Sequence, residues 1–347
     1  MKLYITPQGL NNNIIFTQLY LPLSYLSQDN DDIKMLVHSD FKNYVPSPLI
    51  RIDYFDSLFS KINFVFSYRH QISNIYTRSI FDFYLLYFLK VFLFLKFKIR
   101  YDYRGLLSQE SYLRNGSFYK KRILEFFENL ILKIADSVST VSNNFKDYLI
   151  SINSNRDDIV VTPCCTISVN KREKNKNEKI QFVYVGSLGK WQNFEEMLTT
   201  YYYINTLIPN SELSVITNDV DRALKICNNY GVLAKVFSVN NAEINSILAK
   251  FDFGFLLRDN ILLNNVASPV KFLEYTSNGV IPIISEGVGD YSKIVKEKKM
   301  GLVINDKNDI TKNSLLDLLN DDFIYERLYD FSNDYIWKNH YLNFRMY

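Results

Sequence analysis

The chain has 347 residues, 47% hydrophobic and 22% charged, an ordinary globular composition with enough apolar material for two domains, each with its own core. A formal charge of +3 is too small and too dispersed to argue for nucleic acid as a partner, and no sequence-reading motif is present. Three cysteines, two of them adjacent at Cys164 and Cys165, make neither a disulfide framework nor a zinc spacing, so a reducing cytoplasm is the expected compartment.

The opening MKLYITPQGL enters a strand without the apolar core of a signal peptide, so secretion is not expected. Strands are predicted at 2–5, 33–37, 62–66, 98–102, 137–141 and 159–162, with helices between them. The acidic run Asp29-Asn30-Asp31-Asp32 reads as a polar turn ahead of the second strand.

Residues 80–99 imitate a membrane span, but Asp82, Lys90, Lys96 and Lys98 interrupt a stretch that would need about 20 predominantly apolar residues. A buried helix at 79–92 followed by a strand is predicted instead. Lys90, Lys96, Lys98 and Arg100, with Lys120, Lys121 and Arg122, form either a solvated surface or a basic face that rests weakly on anionic lipid.

The predicted strand at 98–102 runs into Tyr101-Asp-Tyr-Arg-Gly105, at the end where an α/β sheet presents functional side chains. Arg104 can pair with a phosphate bidentately and Asp102 can accept a sugar hydroxyl; alternatively the two brace a turn as a structural pair. His38 is read as the end of a strand, His70 and His340 have no visible partner in the sequence, and none of the three receives a catalytic role.

Residues 169–179, VNKREKNKNEK, are charged, amide-rich and nearly without apolar side chains, so they read as an interdomain linker. Beyond them, strands at 182–185, 212–217, 234–239, 253–257, 280–285 and 302–304 alternate with helical segments, which specifies a parallel sheet covered on both faces. The domains are therefore expected at 1–168 and 180–322, both doubly wound and Rossmann-like, with a ligand cleft between the carboxyl ends of their strands.

The segment Val185-Gly-Ser-Leu-Gly-Lys-Trp191 places glycines after a strand and before a helix near Asn193. Gly186 and Ser187 can let the backbone approach phosphate oxygens while Lys190 supplies charge, or the loop is only a tight turn. Asp219 and Asp221 have a D-x-D spacing, yet Asn218 and Asp219 are placed to cap a helix through 223–226, where acids are expected without metal. Arg258 leaves the strand at 253–257 toward the ligand-facing end, where it either meets a ligand or forms an exposed salt bridge.

The most informative stretch is Ala267-Ser-Pro-Val-Lys-Phe-Leu-Glu-Tyr275, closed by Asn278-Gly279. Ser268 is a good N-cap, Pro269 suits the first helical position, and Gly279 supplies a left-handed exit. Lys271 falls in the first turn, where the helix dipole disfavours a cation unless an anion is bound there. Glu274, one turn later, can receive two vicinal ribose hydroxyls. The pair is either a nucleoside diphosphate clamp or an exposed ion pair.

Ser268-Pro-Val-Lys271 with Glu274, Tyr275, Asn278, Gly279 and Pro282 is similar to the donor-holding segment of family 4 of the retaining GT-B glycosyltransferases. Tyr101–Gly105, Ser139–Ser142 and Val185–Ser187 resemble further landmarks in matching order, and 332–337 resembles part of the terminal helix that crosses back to the first domain, expected here at 323–347.

The resemblance implies an α/β GT-B fold and sugar transfer from a UDP- or GDP-sugar to a glycan or lipid-linked acceptor. Retention and a place in surface polysaccharide synthesis are further implications. It also implies no cofactor and no metal. A cytoplasmic location is expected from the cysteine usage, with weak attachment to the membrane surface, driven by charge with aromatic support, if the acceptor is lipid-linked. Lys271, Arg104, Asp102 and Lys190 are the expected catalytic residues. Gly186, Ser187, Arg258, Ser268, Pro269, Val270, Lys271 and Glu274 are expected to hold the donor. Two positions depart from the family pattern: Val266 stands where its first paired glutamate would be, and Ser187 replaces its loop arginine. A nucleotide-sugar epimerase and a non-catalytic sugar-nucleotide binder are the alternatives.

Overall fold

The computed structural model describes residues 1–29, 32–42, 44, 49–153, 156, 158–172, 179–240 and 243–346. Residues 173–178 of the predicted linker, and Asn30 and Asp31 of the acidic turn, lie outside the described residues. The chain divides into two units, Met1–Pro163 with Trp337–Tyr347, and Cys164–Ile336.

The first unit is built on seven strands: β1 Lys2–Ile5, β2 Ile33–His38, β3 Arg51–Phe55, β4 Asn74–Thr77, β5 Lys98–Tyr103, β6 Ser137–Thr140 and β7 Val160–Val161. They pair in parallel in the order β3-β2-β1-β4-β5-β6-β7. The order reverses between β1 and β4, which makes their carboxyl ends the switch point of this sheet. Trp337 seals the unit's tail by donating from its indole N–H to the Thr17 carbonyl at 2.6 Å, and Tyr4 donates its hydroxyl to the Phe344 carbonyl at 2.7 Å.

One predicted strand is corrected. Residues 62–66 lie in the helix Leu58–Ser67, which a reciprocal capping box between Ser57 and Ser60 initiates. Ile-Asn-Phe-Val-Phe is apolar enough to pass for a strand, and a short apolar run carries no period that separates the two states. The strands flanking this helix, β3 and β4, are absent from the sequence reading. β3 sits at the sheet edge with little burial, and β4 is four residues buried throughout, so neither alternates. The helix Ile80–Phe92 forms where expected, its first turn capped by the Ser79 hydroxyl, but the predicted burial is corrected: only Asp82, Phe83 and Leu86 are buried, while Phe81, Phe88, Val91 and Phe92 are exposed. No helix among the described residues is long and apolar enough to cross a membrane.

The second unit carries β8 Ile180–Val185, β9 Ser211–Ile216, β10 Ala234–Phe237, β11 Phe253–Leu256, β12 Ile281–Ser285 and β13 Leu302–Ile304. All are parallel, in the order β10-β9-β8-β11-β12-β13, with the switch point between β8 and β11. Phe182, Phe253 and Phe255 stack along the two central strands at 5.2 and 5.7 Å, each fully buried. The helix Ile324–Asp334 belongs to this unit, where Phe331 meets Phe272 at 5.6 Å and Ser332 donates to the Thr276 hydroxyl at 2.8 Å. Only the residues from Trp337 onward group with the first unit, a shorter return than the one expected at 323–347.

Candidate active site

In the second unit the helix Val270–Thr276 lies at the sheet's switch point, and Tyr275 fastens it there. The Val185 N–H donates to the Tyr275 hydroxyl oxygen at 3.0 Å, and that hydroxyl donates to the Phe255 carbonyl at 3.1 Å. One side chain thus ties together the carboxyl ends of β8 and β11 and the helix carrying Lys271 and Glu274. Its ring needs Gly254 beneath it, because a Cβ there would stand 2.8 Å from the ring carbons. Full burial of Tyr275 pushes its hydroxyl pKa far above the ordinary tyrosine value, so it remains a neutral donor.

The helix begins one residue later than the sequence suggests. Pro269 occupies the cap position and no side chain caps the first turn. Ser268 is diverted, its hydroxyl sharing a 3.0 Å hydrogen bond with Tyr291. Gly279 has φ +69° and makes the left-handed exit. Lys271 and Glu274 face each other at 3.0 Å, both partly exposed. Val266 is buried.

Gly186 and Ser187 leave β8 at the same switch point. The Gly186 N–H donates to the Ile216 carbonyl, and the Ser187 carbonyl accepts from the Tyr184 hydroxyl at 2.7 Å. The loop then turns through Lys190–Gln192, and Asn193, at φ +46°, starts the helix Phe194–Leu207. Lys190 is exposed, with no ion pair among the described residues.

Arg258 follows β11 on the other side of the switch point. Burial lowers its guanidinium pKa, partly countered by the neighbouring Tyr184, and its Nε is buried without a hydrogen-bond partner among the described residues. Ser285 locks its backbone, accepting from the Arg258 N–H at 2.7 Å and donating to the Arg258 carbonyl at 2.6 Å. Arg258 lines a cavity of about 490 Å³ together with Asn193, Asp259, Asn260, Glu286 and Lys307. Gly287 completes its wall, where a Cβ would stand 2.4 Å from the Asp259 carbonyl oxygen. Lys271 and Glu274 are not among the residues lining this cavity. The loops after β12 and β13 that form half of it were not read from the sequence; each follows a predicted strand, which is the signal that could have marked them.

Asp219 stands at the N-cap of the helix Val220–Asn229, but its side chain makes no capping bond and instead approaches Arg222 at 3.8 Å. The expected cap position holds, while the expected cap hydrogen bond does not form.

In the first unit Asp102 and Arg104 form an ion pair. Asp102 is 1% exposed, and its carboxylate also accepts from Tyr76 and from Ser139 at 2.8 Å, with Arg78 at 3.1 Å. Burial alone would raise its pKa, but Arg104, Arg78 and these hydrogen bonds outweigh it and hold the group at about 2. Of the two roles open to Asp102, sugar-hydroxyl acceptor and structural brace, the geometry favours the brace, because its oxygens accept from internal partners. Arg104 also donates to the Thr162 carbonyl at 3.1 Å, so it serves the same network. The switch point of this unit lies elsewhere, at the loop after β1, where Gly9 takes φ +77°, and at Arg78 after β4. Sequence reasoning passed over both, although a glycine loop after the first strand was visible.

Residues 167–333 match the family described as Glycosyl transferases group 1. No curated protein sequence matches the chain significantly. Among solved structures, the chain is similar to sucrose-phosphate synthase from Thermosynechococcus elongatus, at TM-score 0.71 and 15% identity over 99% of this chain and 97% of that one. A glycosyltransferase from Rickettsia africae matches at TM-score 0.72 and 12% identity over 98% and 95%. HepE from Anabaena, solved with UDP and glucose, matches at 0.68 and 13% over 97% and 95%. The sheets of seven and six parallel strands are those of the GT-B glycosyltransferase fold.

Proposed function

We propose that this chain is a nucleotide-sugar-dependent glycosyltransferase whose second unit, the part matching group 1, holds the donor at the β8–β11 switch point. The observation carrying this reading is the Tyr275 hydroxyl, which brings the glycine loop, the strand leading to Arg258 and the Lys271–Glu274 helix to one place. Glu274 takes the ribose hydroxyls, exchanging its contact with Lys271 for the ligand, and Lys271 then faces the diphosphate with Lys190 and Arg258 in support.

Departure of a nucleoside diphosphate builds negative charge on the β-phosphate while the sugar becomes oxocarbenium-like. Cations already in place stabilise that charge more than they stabilise the bound donor, so the barrier falls. The departing phosphate oxygen accepts the proton of the acceptor hydroxyl as that hydroxyl attacks from the same face. This transfer retains anomeric configuration and needs no enzyme nucleophile. The donor is a UDP- or GDP-sugar, the acceptor a glycan or lipid-linked glycan of a surface polysaccharide, and the diphosphate is neutralised by protein cations without metal.

Product analysis with a panel of UDP- and GDP-sugars and glycan acceptors, in chelator, tests this. Transfer of the sugar with retention is expected. Interconversion of the nucleotide sugar, binding without turnover, or strict dependence on added magnesium or manganese would each overturn the corresponding part of the reading.

A further inference from the structure

Exposed phenylalanine is concentrated in one region of this protein. Among the described residues ten phenylalanines are exposed, and nine of them belong to the first unit; Phe323 is the exception. Scattered apolar side chains on a surface are ordinary, whereas a clustered set marks a contact surface.

Three adjacent helices carry most of the cluster. Leu58–Ser67 is joined to Ile80–Phe92 by the buried Lys61–Asp82 ion pair at 2.7 Å. Ile80–Phe92 is joined to Phe118–Ile134 by the Tyr84 hydroxyl, which donates to the Phe127 carbonyl at 2.7 Å, with the two rings 5.1 Å apart. The first helix turns Lys61 and Val65 inward and leaves Phe59 and Phe66 outside, seven residues apart on one face. The second does the same with Phe81, Phe88 and Phe92, the last two stacked at 5.5 Å. The third buries Glu128, Ile131 and Leu132 and exposes Tyr119, Ile123 and Phe126. In the turn after the second helix, Phe94 has φ +52° and is 89% exposed.

Positive charge lies on the third helix and on the segment that leads from the second helix into β5. Lys96, Lys98, Lys120 and Lys133 are exposed, with no ion pair among the described residues. Four cations that the sequence suggested for a basic face drop out: Lys90 pairs with Asp136 at 2.7 Å, Lys121 and Arg122 pair with Glu125 at 3.7 and 3.2 Å, and Arg100 is buried, donating to the Asn343 carbonyl at 2.9 Å.

We infer that this three-helix face of the first unit docks on an anionic lipid surface, its aromatic rings entering the headgroup boundary and its lysines meeting the lipid charge. The aromatic rings are suited to interfacial depth, and charge complementarity selects an anionic bilayer over a second copy of the chain, which would bring like charges together. The inference is independent of the proposed sugar transfer.

The test is sedimentation of the full chain with phosphatidylcholine vesicles, with and without about 30% phosphatidylglycerol. Binding is expected only with phosphatidylglycerol, reduced at least roughly tenfold by about 0.5 M salt. The folded variant Phe88→Ser/Phe92→Ser/Phe126→Ser should lose binding, and so, independently, should Lys96→Gln/Lys98→Gln/Lys120→Gln/Lys133→Gln, because each lysine contributes roughly fivefold. In Phe92→Trp, brominated lipid should quench emission beyond the wild-type background of Trp191 and Trp337. No binding by the wild type, unchanged binding by either variant, no added quenching, or a dimer in solution abolished by the phenylalanine variant would overturn the inference.

Discussion

Asp102 shows how one residue type serves two chemistries that sequence alone presents equally. An acid at the carboxyl end of a central strand is well placed to meet a ligand, yet here Tyr76, Arg78 and Ser139 from the neighbouring strands and their ends, and Arg104 from its own strand end, converge on it. Replacing it with alanine leaves Arg78 and the largely buried Arg104 without their counter-ion, so Asp102→Ala should destabilise the first unit by about 3–5 kcal/mol. Urea unfolding followed by far-UV circular dichroism measures this, and an unchanged midpoint would contradict the anchoring role. The same group fixes a pH dependence. Its folded pKa, about 2, lies below the unfolded carboxylate value, so its contribution is complete at neutral pH and is lost as pH falls through the window from about 4 to about 2. In Asp102→Asn that acid-dependent loss should be smaller by one titrating group. Only Arg104 lies near Asp102 in sequence; Tyr76, Arg78 and Ser139 arrive from other strands and their ends, which is why the chain order alone left the choice open.

At the scale of elements, the helix Val270–Thr276 is short, and its place depends on tertiary contacts more than on its own propensity. Tyr275→Phe keeps the ring against Gly254 but leaves the Val185 N–H and the Phe255 carbonyl without their partner. A loss of about 1–3 kcal/mol is expected, together with weaker donor binding as the glycine loop and helix come apart. Denaturation and nucleotide titration on the same variant check both, and wild-type values in both would remove Tyr275 from its organising role. Lys271→Ala tests the other end of the element's role. A cation that matters most as the leaving group gains charge should cost kcat more than KM, by roughly 10²-fold or more. A change confined to KM in steady-state kinetics would show that Lys271 acts in ground-state binding alone.

This helix was legible because proline, a one-turn spacing and a terminal glycine are local signals. Its cap was not, since the Ser268 hydroxyl is claimed by Tyr291, 23 residues away. Residues 62–66 misread for the same kind of reason: a short apolar run carries no period of its own, while a serine pair upstream decides that it is helical.

Across the whole molecule, the second unit read most directly, because each of its strands is an apolar run set off by polar helices. Its cavity beside Arg258 was not read, being assembled from segments that follow four different strands and closed where Gly287 meets the Asp259 backbone. The first unit read more loosely, its edge strand β3 being half exposed and its helices carrying the phenylalanines that a core would normally take. The central claim concerns Glu274 as the ribose acceptor at the switch point of the second unit. Calorimetric titration of UDP and GDP into the wild type and Glu274→Ala tests it most directly. Charged hydrogen bonds of about 1.5–3 kcal/mol each are lost in the variant, so the wild type should bind one of the two nucleotides and the folded variant should bind it at least roughly tenfold more weakly. Equal affinity in both proteins, or no binding by the wild type, would contradict the account.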